Sequence, residues 1–270
     1  MPMPAYNNLN NSESMFCLAD HISPIIVGYG YPYCGKTRTL VRLIRLLLNL
    51  GYSVVPDRSY RPVSDVKYGI ECEQFYDKIH DTYKHNNKDW ERLLVRVFRE
   101  GRCFCQICDE PGVSFYDNQG SNLKTDFTKI MIATPNKKVW IIFIELKQLP
   151  HVNHEEYVKD IMSLAQAASP NDEFIILINK IDCLASLYNN DTNAIYRELL
   201  EGVRYYYPGL LDLFMNTNPI SKYWRPYKCR IVGFSSGTYY NGAQNRVETY
   251  VESPDYYPKY LWQQIVNSIK

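Results

Sequence analysis

Short apolar runs alternate along the chain with stretches in which apolar residues return every three or four positions. The run from Ser23 to Tyr29 (Ser-Pro-Ile-Ile-Val-Gly-Tyr) has the length of a buried strand and enters a glycine-punctuated turn. From Lys36 to Gly51 the period becomes helical. Leu40, Ile44, Leu47 and Leu48 share one face, Arg38, Arg42 and Arg45 line another, and Gly51 is a plausible stop. A solvated face is the plainer reading of those arginines, and a binding stripe is the alternative. Residues 52–90 are less regular, broken at Tyr60-Arg61-Pro62, with a helix expected from Cys72 to His85. Leu93 to Arg99 and Cys103 to Cys108 read as strands joined through Glu100-Gly101-Arg102, a β-hairpin. Val139 to Leu146, Glu173 to Ile178 and Cys229 to Phe234 read as further core strands. Residues 194–215 are expected to be mostly helical. Pro258 to Ile269 forms a last helix with Leu261, Ile265 and Ile269 on one face.

Strands alternating with helices predict an α/β fold of three layers, a mostly parallel sheet covered on both sides. The early hairpin adds one antiparallel strand at an edge. With no repeat and no convincing linker, one domain over residues 22–270 is expected, after a flexible polar tail (1–21) and with inserts near 52–90 and 183–228. Those inserts are the expected seat of a protein partner, because long loops carry function.

Composition narrows the class. Of 270 residues, 46% are apolar and 22% charged, as in an ordinary globular protein. A net charge of +1 gives no nucleic-acid signal. No apolar run is long enough for a transmembrane segment, and the start (Met1-Pro2-Met3-Pro4-Ala5) lacks signal-peptide character. Eight cysteines are too sparse for a disulfide scaffold, so a reducing, cytoplasmic setting is expected. Cys103, Cys105 and Cys108 have no matching second cluster and read as buried strand cysteines rather than zinc ligands.

Chemistry concentrates in four motifs. Gly30-Tyr31-Pro32-Tyr33-Cys34-Gly35-Lys36-Thr37 matches Gly-x4-Gly-Lys-Thr in full, between a strand and a helix. Such a loop turns its backbone N–H groups and a helix N-terminus on phosphate oxygens; Lys36 would reach the β- and γ-phosphates and the Thr37 hydroxyl a Mg²⁺ ion. Asp109-Glu110-Pro111-Gly112 ends the second hairpin strand, where Asp109 suits the water shell of Mg²⁺ and the Gly112 N–H the γ-phosphate. Asn179-Lys180-Ile181-Asp182 follows a core strand. There the Asp182 carboxylate can accept from N1–H and the N2 amine of guanine, a donor pair that adenine lacks. Lys180 can lie over the base and Asn179 can tie this loop to the phosphate loop. Ser235-Ser236-Gly237 closes the last strand, where backbone N–H groups could reach guanine O6.

In this order, each at a strand end, the four motifs resemble those of Ras-like P-loop GTPases of the translation-factor class. The long inserts and late Tyr-Trp elements are similar to those of bacterial conflict-system GTPases. The resemblance covers residues 22–270 and implies a six-stranded sheet with an antiparallel second strand. It further implies phosphates held by Gly30, Tyr33, Cys34, Gly35, Lys36, Thr37 and Arg38, Mg²⁺ by Thr37 and Asp109, and the base by Asn179, Lys180 and Asp182. Ser235, Ser236 and Gly237 would line the base edge.

Three departures bear on turnover. Val113 stands where fast relatives carry a Gln or His that orients water. Residues 86–92 hold no switch threonine, leaving Thr82 or Ser64. Tyr33 replaces the Asn of potassium-activated relatives. The leading expectation is a GTP-binding switch that hydrolyses GTP to GDP slowly with Mg²⁺, with missing groups supplied by a partner or, in cis, by Arg58 or Arg61. A non-hydrolysing GTP-binding scaffold is the alternative, and an ATPase or nucleotide kinase a third.

Overall fold

The computed structural model describes residues 16–80, 93–109, 126–147, 153–182, 192–241 and 247–270. The first strand, β1 (Ile25–Tyr29), is buried along its whole length and leads through the phosphate-type loop into helix α1 (Lys36–Asn49). A short strand β2 (Ser53–Pro56) and the helices α2 (Val66–Glu73) and α3 (Phe75–His80) follow. Then come β3 (Leu93–Arg99), β4 (Arg102–Asp109), α4 (Asp126–Ala133), β5 (Lys138–Glu145), α5 (His154–Ala167) and β6 (Glu173–Asn179). The chain ends with α6 (Thr192–Tyr206), β7 (Arg230–Phe234), β8 (Gly237–Asn241), β9 (Val247–Glu252) and α7 (Tyr256–Ile269).

Seven strands form the main sheet in the order β2-β3-β4-β1-β5-β6-β7. β1 runs parallel to both β4 and β5, and the parallel pairing continues through β6 to β7. β3 is antiparallel to both its neighbours. The α/β expectation holds, with two differences in detail. The sheet has seven strands rather than six, and the antiparallel strand is one place in from the edge. The cause is β2, four residues within the irregular 52–90 stretch, which caps the hairpin on its open side. Edge strands this short carry little periodicity to read.

The β3–β4 hairpin turns through Glu100 (φ 52°) and Gly101 (φ 76°), the two left-handed residues that a two-residue connection between right-twisted strands requires. The central strands β5 and β6 supply a nearly continuous apolar slab (Val139 to Ile144, Ile175 to Ile178), as parallel strands covered on both faces must. α1 and α7 pack against each other, with Trp262 of α7 set against the rings of Tyr52 and Phe104.

Other expectations give way to local chemistry. The helix expected from Cys72 to His85 is two shorter helices, the first begun earlier by Asp65, whose side chain accepts from the Tyr68 N–H; residues 81–85 lie outside the described residues. The helix expected over 194–215 ends at Tyr206, and Gly209 (φ 84°) turns the chain away. The tail expected to run to residue 21 is anchored from Phe16, whose ring packs on Tyr60 and Phe127; Leu18 is buried.

Of the α1 arginines, Arg42 and Arg45 are neither solvated nor free for a ligand. Arg42 is 6% exposed and pairs with Glu252, which Arg45 also grips. Among the cysteines, Cys105 and Cys108 are buried on opposite faces of β4 and Cys103 is half-buried. Burial pushes the thiols of Cys103 and Cys105 up, so they sit protonated. Among the described residues no group of three or more His, Cys, Asp or Glu side chains is placed to hold a metal. No helix among them is long and apolar enough to cross a membrane.

Candidate functional site

The carboxyl ends of β1, β4, β5, β6 and β7 meet along one edge of the sheet, where ligands of open α/β folds sit. At its centre the loop after β1 folds back over Lys36. The Lys36 Nζ donates to the carbonyls of Gly30 at 2.9 Å and Tyr31 at 3.1 Å, and the side chain is buried. Two main-chain carbonyls thus hold the ammonium inside the loop. Gly35 forms the N-cap of α1 at φ 89° with no side-chain cap, and no acidic residue occupies the helix's first turn. The positive end of α1 is therefore not neutralised from within, which suits an anion.

Both loop glycines are sterically required. A Cβ on Gly30 would lie 2.8 Å from the Cys34 Sγ and 2.9 Å from the Phe143 Cβ, and one on Gly35 would lie 2.3 Å from the Asn179 Nδ2. Tyr33, between them, adopts φ 68° and is 88% exposed, so its ring stands out from the loop rather than packing below it. Thr37 and Arg38, half-buried, open α1. Cys34 is fully buried, and burial pushes its thiol up despite the nearby Lys36 ammonium.

Asp109 ends β4. The parallel register that aligns Val27 with Cys108 places it beside the end of β1, 4% exposed. The hydroxyl of Thr37 and the carboxylate of Asp109 are the hard oxygens that Mg²⁺ selects, and one or two protein oxygens suffice when phosphate and water complete its shell. Gly112 and Val113 lie outside the described residues, as does Thr82; Ser64 is exposed.

The second loop follows β6. Asn179 donates from Nδ2 to the Cys34 carbonyl at 2.9 Å and accepts the Lys180 N–H at 2.9 Å through Oδ1. Lys180 is itself left-handed, φ 62°, and its Nζ reaches Glu145 Oε1 at 2.7 Å. The Ile181 N–H donates to the Phe234 carbonyl at 3.2 Å, which joins this loop to the end of β7. Asp182 is half-buried and accepts from the Thr238 hydroxyl at 3.3 Å. Ser235 and Ser236, directly after β7, are buried, and the Gly237 N–H is taken by the Ser235 hydroxyl at 3.2 Å. Asn179, Lys180, Asp182, Ser235, Ser236 and Gly237 thus share one end of the site, and Gly30 to Arg38 the other, with Asn179 spanning both. Arg58 and Arg61 are engaged elsewhere, with Glu73 and Asp65.

Three residues escaped motif reading. Glu145, at the end of β5 and 3% exposed, holds Lys180 on one oxygen and Lys147 on the other at 3.1 Å. The Tyr157 hydroxyl donates to the Phe143 carbonyl at 2.9 Å, and that of Tyr207 to the Glu145 carbonyl at 3.1 Å. These phenols meet main-chain carbonyls at the end of β5, where it flanks the loop, and give part of the tyrosine excess a purpose. No local motif marks them, because their partners are backbone atoms far away in the chain.

No family model matches the chain, and no curated protein does. In fold it is similar to solved GTP-binding proteins. One is a nucleolar GTP-binding protein 1 from Plasmodium falciparum (15% identity, 82% of this chain and 80% of that one, TM-score 0.40). Others are the Ski7 GTPase-like domain of S. cerevisiae bound to GDP and inorganic phosphate (15% identity, TM-score 0.46) and the same domain bound to GTP (13%, 0.47). Each Ski7 alignment covers 92% of this chain, which spans only about half of the Ski7 chains (51% and 50%). At this level of likeness, what those proteins bind does not transfer to this chain.

Proposed function

We propose that the chain binds guanine nucleotide and acts as a GTP-dependent switch that hydrolyses GTP to GDP slowly with Mg²⁺. One observation carries this reading: Asn179 bridges a complete phosphate-type loop to an Asn-Lys-x-Asp loop, so the two halves of a nucleotide site are locked at a fixed distance. Lys36 and the uncapped α1 N-terminus would take the phosphates, and Thr37 with Asp109 would hold Mg²⁺, which supplies charge neutralisation during phosphoryl transfer when bound. Asp182 and the Ser235–Gly237 turn would take the base, with Lys180 held at its side by Glu145.

On this reading residues 22–270 form the GTPase-like domain, and the inserts near 52–90 and 183–228 face a protein partner. A cytoplasmic setting fits the seven unbridged cysteines among the described residues. The scaffold reading keeps one specific support: Val113 cannot hydrogen-bond an attacking water.

Calorimetry of the purified chain with GTP and ATP, each with and without Mg²⁺, tests the proposal. GTP binding that needs Mg²⁺ and excludes ATP supports it. ATP binding as tight as GTP overturns the guanine assignment.

A further inference from the structure

The β8–β9 hairpin lies outside the main sheet, between the Ser235-Ser236-Gly237 turn and α7. No sequence motif pointed to it, yet it reaches Asp182, Ser235 and Ser236 at the base-side end of the site. From β8, Thr238 donates its hydroxyl proton to Asp182 Oδ2 at 3.3 Å. From β9, the Tyr250 hydroxyl donates to the Ser236 carbonyl. Just beyond, the Ser253 hydroxyl donates to the Ser235 carbonyl at 2.5 Å and the Ser253 N–H to the Ser236 carbonyl at 3.3 Å.

The same strand is fixed from the other side by α1. Glu252 is gripped by Arg42 and Arg45, and Arg42 Nη2 adds a bond to the Ser253 carbonyl at 2.6 Å. Arg38 lies over the Tyr250 ring, 5.7 Å from its centroid. Three arginines spaced along one helical face thus meet one strand. Gly237 seats the hairpin closely: at φ 137°, a Cβ there would lie 2.4 Å from the Val251 carbonyl oxygen and 2.8 Å from the Tyr250 side chain.

We propose that the β8–β9 hairpin is a brace for the guanine pocket, in which Thr238, Tyr250 and Ser253 are positioning residues that set the Asp182 carboxylate and the Ser235–Ser236 backbone against the base, and the Arg42–Glu252 pair ties that pocket to the helix carrying the phosphate loop. The inference rests on the guanine-nucleotide reading above. A hairpin held only for stability would need arginine contacts to its own strand. It would not need hydroxyls bound to Asp182 and to both serine carbonyls.

The test reads base recognition apart from stability. Parent, Tyr250→Phe and Thr238→Val are titrated with GTP, 6-thioguanosine triphosphate, inosine triphosphate and tripolyphosphate. The sulfur analogue weakens the O6 acceptor, and inosine lacks the N2 amine. Tyr250→Phe, which leaves the Ser236 carbonyl only the longer Ser253 N–H bond at 3.3 Å, is expected to lower GTP affinity about tenfold, to shrink the preference for GTP over the sulfur analogue, and to leave tripolyphosphate within about twofold. Thr238 is exposed and its valine variant keeps the shape, so it folds. It is expected to shrink the preference for GTP over inosine triphosphate by about fivefold through the loosened Asp182. Equal losses for all four ligands, or unchanged preferences in both variants, overturn the brace. A parent that binds GTP no tighter than tripolyphosphate overturns the guanine reading itself and is scored before any variant.

Discussion

Asn179 donates to the Cys34 carbonyl at 2.9 Å across 145 positions of sequence, and Gly35 leaves the space that lets it do so. Two loops that the proposed function assigns to opposite ends of a nucleotide are thereby tied to each other. The amide's other end accepts the Lys180 N–H, so the side chain orders both loops at once.

Removing that bridge is expected to cost binding more than folding. Asn179→Ala leaves the buried Cys34 carbonyl without its donor and should destabilise the chain by about 1–3 kcal/mol. Gly35→Ala should be worse, because its Cβ meets the Asn179 amide at 2.3 Å in a backbone conformation at φ 89° that alanine resists. Urea unfolding of both variants beside GTP titration checks this. A Gly35→Ala chain as stable as the parent contradicts the loop geometry.

Lys36→Ala tests the phosphate end. The ammonium is presented by the Gly30 and Tyr31 carbonyls, so its removal deletes a positioned charge and not a flexible one. GTP binding should weaken by about 3 kcal/mol, roughly a hundredfold. Equal affinities by titration calorimetry would sink the phosphate-loop assignment.

How much of this was legible beforehand depended on where each signal lies. β1, α1, the β3–β4 hairpin, β5, β6, β7 and α7 announce themselves through apolar runs and period, and the phosphate loop through its glycines. Arg42 did not, because a helical face of arginines looks the same whether it meets water or a carboxylate 210 positions away. Glu145 did not either, since a single acid at a strand end has no motif. The β8–β9 hairpin was hidden by its polar, tyrosine-rich composition, which carries no clean alternation.

Acid stability should report the anchoring of the N-terminal segment. Asp20 accepts from the N–H groups of Ile22 and Ser23, each at 2.9 Å, and its carbonyl receives Gln106 and Asn136. Burial opposes ionisation there, but the Ser23 and Ile22 hydrogen bonds outweigh it and bring the carboxyl from 3.8 to about 2. A depressed carboxyl stabilises the fold above its unfolded value, and that contribution is lost as pH falls through about 2. Asp20→Asn should flatten the fall in unfolding free energy between about pH 4 and 2. An unchanged slope in chemical denaturation across that window counts against the anchor.

Asp182→Asn tests the base. It replaces a two-acceptor edge with one acceptor and one donor, which suits xanthine better than guanine. Thr238 already donates to Asp182 Oδ2, so the variant keeps a partner for its amide oxygen and should fold. Preference should move toward xanthosine triphosphate in competition binding. A variant that still prefers GTP by the parent's margin removes Asp182 from the base site.

Turnover is the sharpest test of the proposed function, because on that reading the groups for binding and the groups for chemistry part company. Lys36 and Thr37 open α1 and Asp109 ends β4, while the Val113 side chain cannot position a water and residues 86–92 hold no threonine. Arg61 is buried against Asp65, and Arg58 pairs with Glu73 at the exposed surface. Binding should therefore be tight and Mg²⁺-dependent, with intrinsic hydrolysis at or below about 10⁻⁴ per second, the slow range of an unassisted switch protein. Single-turnover hydrolysis across a range of protein concentrations separates the cases. A slow rate independent of concentration fits a chain that waits for a partner to complete its site. A rate that climbs with concentration means that a second copy supplies the missing group. A concentration-independent rate near one per second would mean that a water-orienting group acts in cis, and the assignment of Val113 as the deficient position would fall.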